Sequence, residues 1–151
     1  MKAKLITLLV IGIIGSLAVL SWFGYQMFTT GFSAKAEPHA LEVLLARQVR
    51  YLAIPLEHRN KLNPVPVTTE VLQDGLAHFA DHCATCHAND GSGQTPIGKN
   101  VYPKAPDLRE SPTQTMSDGE LFWVLHNGIR FTAMPAWGEG DPEQDIDSWK
   151  L

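Results

Sequence analysis

The chain has 151 residues, a net charge of −4 and an apolar share of 44%. That length accommodates one compact domain plus an anchor or tail. From Val67 onward five basic residues stand against thirteen acidic ones, a net of −8, which is the wrong sign for phosphate binding and excludes nucleic acid as a partner.

Lys2 and Lys4 precede an uncharged, mostly apolar run from Leu5 to Phe28. As a helix this run spans about 36 Å, enough to cross a hydrocarbon core of about 30 Å with some tilt. Trp22, Phe23 and Tyr25 stand near its far end, where aromatic rings favour the interface, and the lysines favour a cytoplasmic amino terminus. Residues 1–30 are therefore expected to form a single-pass anchor, with everything after them on the outer side of the membrane. Ala34-Lys35-Ala36 resembles a cleavage site, so a signal peptide is the alternative, although its apolar core would run only about 7–15 residues. Either reading delivers the remainder of the chain to the same oxidising compartment.

Residues 31–66 are expected to hold a short amphipathic helix and a proline-rich linker. Over 38–52, Leu41, Leu44, Leu45, Val49 and Leu52 recur at helical spacing, with Glu42, Arg47 and Arg50 on the other faces. This pattern suits a packing or spacer helix, or one that docks on a membrane partner. Pro55, Pro64 and Pro66 rule out a long helix next. The stretch between them reads as a semi-rigid spacer.

Residues 67–151 read as the globular part. Thr68 or Thr69 caps a helix carrying Glu70 in its first turn and Val71, Leu72, Leu76 and Phe79 on one side. Between Asn89 and Pro106 glycine and proline make loop. Ser117 and Glu120 form a capping-box pair that opens a second helix, which Asn127-Gly128 ends. A loop then carries Met134-Pro135, and a last helix begins around Asp141 to Asp145. No stretch alternates as a strand does, so the fold class is all-α.

The chemistry is concentrated at Cys83-Ala84-Thr85-Cys86-His87, which holds the chain's two cysteines. Two cysteines make no disulfide framework, and a four-ligand zinc site would lack its second half. Cys-x-x-Cys followed at once by His is the pattern of covalent haem c attachment. Two intervening residues on a helical turn set the thiols about one vinyl separation apart, and His87 projects toward the iron. One haem, bound through Cys83 and Cys86, is thus expected. For the second axial position Met134 is the candidate, because it lies in a loop after a helix stop and Pro135 fixes its backbone. A thioether there favours Fe(II) and raises the potential. Met116 is the rival, better read as packing, and Met27 lies in the apolar run. His82 and His126 read as surface or capping groups, with His126 a minor competitor for iron. His39, His58 and His78 read as solvent-facing.

On these residues the segment 67–151 resembles the class I cytochrome c family, and the whole chain is similar to membrane-anchored monohaem cytochromes of bacteria. The matching positions are Gly75 and Phe79 before the attachment motif, Pro106-Asp107-Leu108, Asn127-Gly128 and Met134-Pro135-Ala136-Trp137. The resemblance implies a bacterial cytoplasmic membrane with the haem domain on its periplasmic side. It also implies that the first helix crosses the last at Gly75 and Phe79, and that the Pro106 carbonyl accepts a hydrogen bond from His87 Nδ1. The terminal helix is expected to be shorter than is usual in that family, with Trp149 as its one aromatic.

With both axial positions filled, the implied function is outer-sphere electron transfer. The alternatives are a haem c subunit of a membrane dehydrogenase or terminal oxidase, and a five-coordinate sensor or peroxidase. The acidic surface implies redox partners with a basic docking patch.

Overall fold

The computed structural model describes residues 2–151, which divide into a unit ending at Ala36 and a second unit, Glu37–Leu151. Among the described residues there are helices and no strand.

The first unit is essentially one helix, α1 (Lys2–Thr30), with no buried residue. Its length and composition suffice to cross a membrane. Thr7, Ser16 and Thr30 turn their hydroxyls back onto carbonyls four residues earlier, at 2.9–3.0 Å, so these hydroxyls are satisfied within the helix.

The second unit opens with α2 (Ala40–Ala53), whose N-terminus is capped by the His39 ring accepting from the Leu41 amide. Glu42 accepts from the Tyr102 hydroxyl, and the Arg50 guanidinium lies 3.8 Å from Met116 Sδ. Burial, then Glu42, pushes the Tyr102 phenol up to about 12. Met116 is accordingly a packing residue.

Residues 54–66, expected as a spacer, pack onto the rest of this unit instead. Pro55 stands at the N-cap of a one-turn helix, α3 (Leu56–Arg59), a position where its missing N–H costs nothing. α3 lies against α7 (Asp118–Asn127) at Gly119, where an added Cβ would sit 1.9 Å from the His58 carbonyl oxygen. The Ser117 hydroxyl donates to the Arg59 carbonyl, and Asn63 donates to the Trp149 carbonyl at 2.8 Å. Ile54, only 2% exposed, is driven into the contact. His58, expected in solvent, has a side chain 14% exposed and its ring lies 4.5 Å from that of Trp123.

α4 (Thr69–His78) begins at Thr68, whose side chain accepts from the Val71 amide. It continues through a π-helical turn, Phe79–Cys83, into α5 (Ala84–His87). α6 (Ser111–Gln114) is a single turn that composition did not announce. α7 opens on the full capping box of Ser117 and Glu120 and closes at Gly128, whose φ of 66° and ψ of −170° only glycine adopts readily. α8 (Ile146–Trp149) is capped by Asp145. Its Trp149 stacks on Phe122, ring centroids 4.1 Å apart at 8°, and both are buried. Gly75 lets α4 cross the end of α8, since a Cβ there would stand 2.2 Å from the Lys150 carbonyl oxygen.

His126 corrects a third expectation. It is 8% exposed, stacks on Phe122 and pairs with Asp145 at 2.6 Å. Burial disfavours the charge on Asp145, but the His126 and Ser148 hydrogen bonds outweigh it and hold the carboxyl below its usual range.

Candidate functional site

The helical path from α4 through the π-turn to α5 presents Cys83, Cys86 and His87 over little more than one turn. Cys83 is buried and Cys86 half-buried, and neither forms a disulfide. Burial, reinforced by the neighbouring Cys86, pushes the Cys83 thiol up, so it stands as S–H at neutral pH.

The chain turns sharply after His87. Ala88, at φ 61° and ψ 160°, occupies a region that costs a non-glycine residue about 1–3 kcal/mol. That turn brings the Gly93 amide back to the His87 carbonyl at 2.8 Å. Thr95 then ties the loop down, its hydroxyl donating to the Cys86 carbonyl and accepting from the Gly98 amide at 2.7 Å. Gly93 and Gly98 have no room for a Cβ. At Gly93 it would lie 2.5 Å from the Ala105 carbonyl oxygen, and at Gly98 2.3 Å from that of Cys86. These contacts set the 105–106 backbone against the attachment turn.

Pro106 is positioned through the same loop. Burial lowers the His87 imidazole pKa, and the Pro106 carbonyl partly offsets that. The ring is therefore neutral at neutral pH, the form that binds a metal. His87 Nδ1 is buried without a well-formed hydrogen bond, and the Pro106 carbonyl is the acceptor that faces it. On the next residues Asp107 is paired with Arg109, which holds its carboxyl down at about 2. A second Arg109 contact reaches Asp90 at 3.1 Å, closing the loop on its solvent side.

Residues 70–148, just over half of the chain, match the family model for cytochrome c oxidase, cbb3-type, subunit III. The chain belongs to this family. A curated relative, the cbb3-type cytochrome c oxidase subunit CcoP of Cereibacter sphaeroides, is 33% identical over 75 residues, covering 50% of this chain and 24% of the relative. The chain thus spans about a quarter of the length of that relative. Membership supports the coarse reading made from the residues, an all-helical c-type cytochrome working in haem c electron transfer; the amino-terminal apolar helix lies outside the matched residues and is seen in the fold itself.

The expected residues of this cbb3-type subunit domain fall into two groups. Cys83, Cys86, His87 and Pro106 come together around the attachment turn. Met134 stands on a separate loop, half-buried, pinned to the end of α7. There the Met134 carbonyl accepts from the Ile129 amide at 3.1 Å, and its own amide donates to the Thr132 hydroxyl at 3.0 Å. The Trp137 and Gly138 amides then donate to the Leu125 and His126 carbonyls. This pinning fixes the Met134 backbone, which is what an axial thioether requires. Gly93, Gly98 and Thr95 were not singled out from the sequence. Their signal was a glycine-rich stretch that read only as loop.

The residues present fit a haem c. Two thiols on one helical turn, a neutral histidine whose buried Nδ1 faces a carbonyl, and a rigid thioether loop match the donor set of such a group.

Proposed function

We propose that this chain is the haem c electron-carrying subunit of a cbb3-type terminal oxidase, anchored by α1, with its haem domain on the periplasmic side. One haem is held by thioethers from Cys83 and Cys86, with His87 and Met134 as axial ligands. The observation that carries this is the attachment turn itself: Cys83, Cys86 and His87 on one continuous helical path.

The group, when bound, supplies one-electron Fe(III)/Fe(II) chemistry. The protein's residues do the rest. Cys83 and Cys86 would hold the group, each thiol supplying the sulfur of one thioether. The Pro106 carbonyl would accept from His87 Nδ1, leaving Nε2 as the nitrogen that would bind metal. Thr132 fixes the loop that carries Met134, whose thioether would supply the second iron ligand. The acidic surface favours a donor with a basic docking patch.

Purification of the full chain from detergent-solubilised membranes tests the assignment. A stable, stoichiometric association with the other subunits of a terminal oxidase, and one haem per chain that acidic acetone does not extract, supports it. A protein that purifies alone acts as a free carrier and contradicts the subunit reading. Cys83→Ser with Cys86→Ser is expected to leave the haem extractable.

A further inference from the structure

α2 is mounted with its polar side inward. Glu42 bonds to Tyr102, Arg50 lies against Met116, and the preceding Glu37 pairs with Lys104. The opposite face carries Leu41, Leu44, Leu45, Val49 and Leu52. These are 41–70% exposed, and with about 100° between successive residues they form one stripe broken only by Gln48 and edged by Tyr51. Leu56, three residues past the helix end, is likewise 72% exposed. A helix packing on an aqueous domain ordinarily does the reverse. A contiguous aliphatic face of this size marks a surface that something covers.

The chain itself indicates the cover. Only residues 31–39 separate α1 from α2, and nine residues reach at most about 32 Å when fully extended. Hydrogen-bonded turns at Gly31, Ser33 and Ala36 shorten that reach. A tether of that length keeps α2 within about 32 Å of the end of the membrane-crossing segment, so the bilayer surface is always within its reach. The exposed stripe contains no charged side chain, as an acyl boundary demands. Arg47 lies on its flank, and the Arg59 guanidinium lies 4.1 Å above the ring of Tyr51 at its edge.

We propose that the outward face of α2 lies in the interfacial layer of the same membrane that α1 crosses, with Leu41, Leu45, Val49 and Leu52 among the acyl chains and Arg47 and Arg59 toward anionic lipid phosphates. This rests on the reading of α1 as a retained anchor. The contact would hold the haem domain at the membrane surface in a fixed attitude instead of on a free tether.

Spin labelling of the full, haem-loaded chain in lipid nanodiscs containing phosphatidylglycerol tests it. With Cys83 and Cys86 committed to thioethers, a nitroxide attaches selectively to Leu45→Cys, Val49→Cys or Arg47→Cys. Intact mass establishes separately that α1 is retained, and the reduced haem spectrum establishes that each variant is folded. The expected result is that oxygen relaxes the labels at 45 and 49 more than a water-soluble nickel chelate does, at a depth of about 5–10 Å, with the order reversed at 47. Labels at 45 and 49 open to the nickel chelate would overturn the proposal. So would labels shielded from both reagents, which would place a protein surface there instead of lipid.

Discussion

Trp149 is the side chain on which the carboxyl-terminal turn depends, and removing it has a calculable cost. It is 6% exposed, stacks flat on Phe122 at 4.1 Å, and its carbonyl accepts from Asn63. Truncating a buried tryptophan to alanine costs about 3–5 kcal/mol in lost transfer energy and cavity, of which the ring pair accounts for about 0.5–1.5 kcal/mol. Total stabilities of about 5–15 kcal/mol leave little margin for such a loss. For a unit of this size roughly 4 °C of Tm accompanies each kcal/mol, so Trp149→Ala is expected to lower Tm by roughly 12–20 °C. The assay is thermal unfolding of the haem-loaded chain followed by circular dichroism of the haem band, which is blind to α1. Trp149→Phe, which keeps a ring against Phe122, should lose less than half as much. An alanine variant melting within about 3 °C of the parent would refute the claim that α8 is held by this stack.

Gly119→Ala should destabilise the domain by driving α3 off α7, because its Cβ would stand 1.9 Å from the His58 carbonyl; urea unfolding reads the loss, and an unchanged midpoint would contradict the packing described. Asp145 gives a pH dependence of definite sign. Its carboxyl is held below the ordinary 3.8, so its contribution is present above that pH and is lost as pH falls through the lower folded value. Asp145→Asn should therefore be less stable than the parent at neutral pH and show a shallower loss of stability on acidification below about 4. The excess of acidic residues predicts that association with an electron donor slows as ionic strength rises, and a rate indifferent to salt would remove the basic-patch partner.

Much of the site could be read directly because its signals are local. The attachment motif is contiguous in the sequence, the Ser117–Glu120 box spans four residues, and Thr68 caps its own helix. What was misread depends on pairs far apart in the chain. Three prolines suggested a spacer, yet Pro55 begins α3, and its partner surface at Gly119 lies some sixty residues on. His126 looked like a helix-end surface group because nothing near it announces Asp145, nineteen residues later. The amphipathic pattern of 38–52 was plain, but periodicity does not say which face packs inward. Here the polar face does, through Tyr102 and Met116.

The central claim is a closed haem c centre with His87 and Met134 on the iron. The optical spectrum of the protein, oxidised and reduced, before and after carbon monoxide, tests it most directly, with Met134→Ala beside it. The parent should show a sharp reduced α-band and a weak red-end oxidised band from sulfur ligation, with no response to carbon monoxide. Met134→Ala should lose the sulfur band, bind carbon monoxide and fall in potential. A parent that binds carbon monoxide, or a variant with unchanged spectrum and potential, would contradict Met134 as the ligand and with it the closed electron-carrying centre.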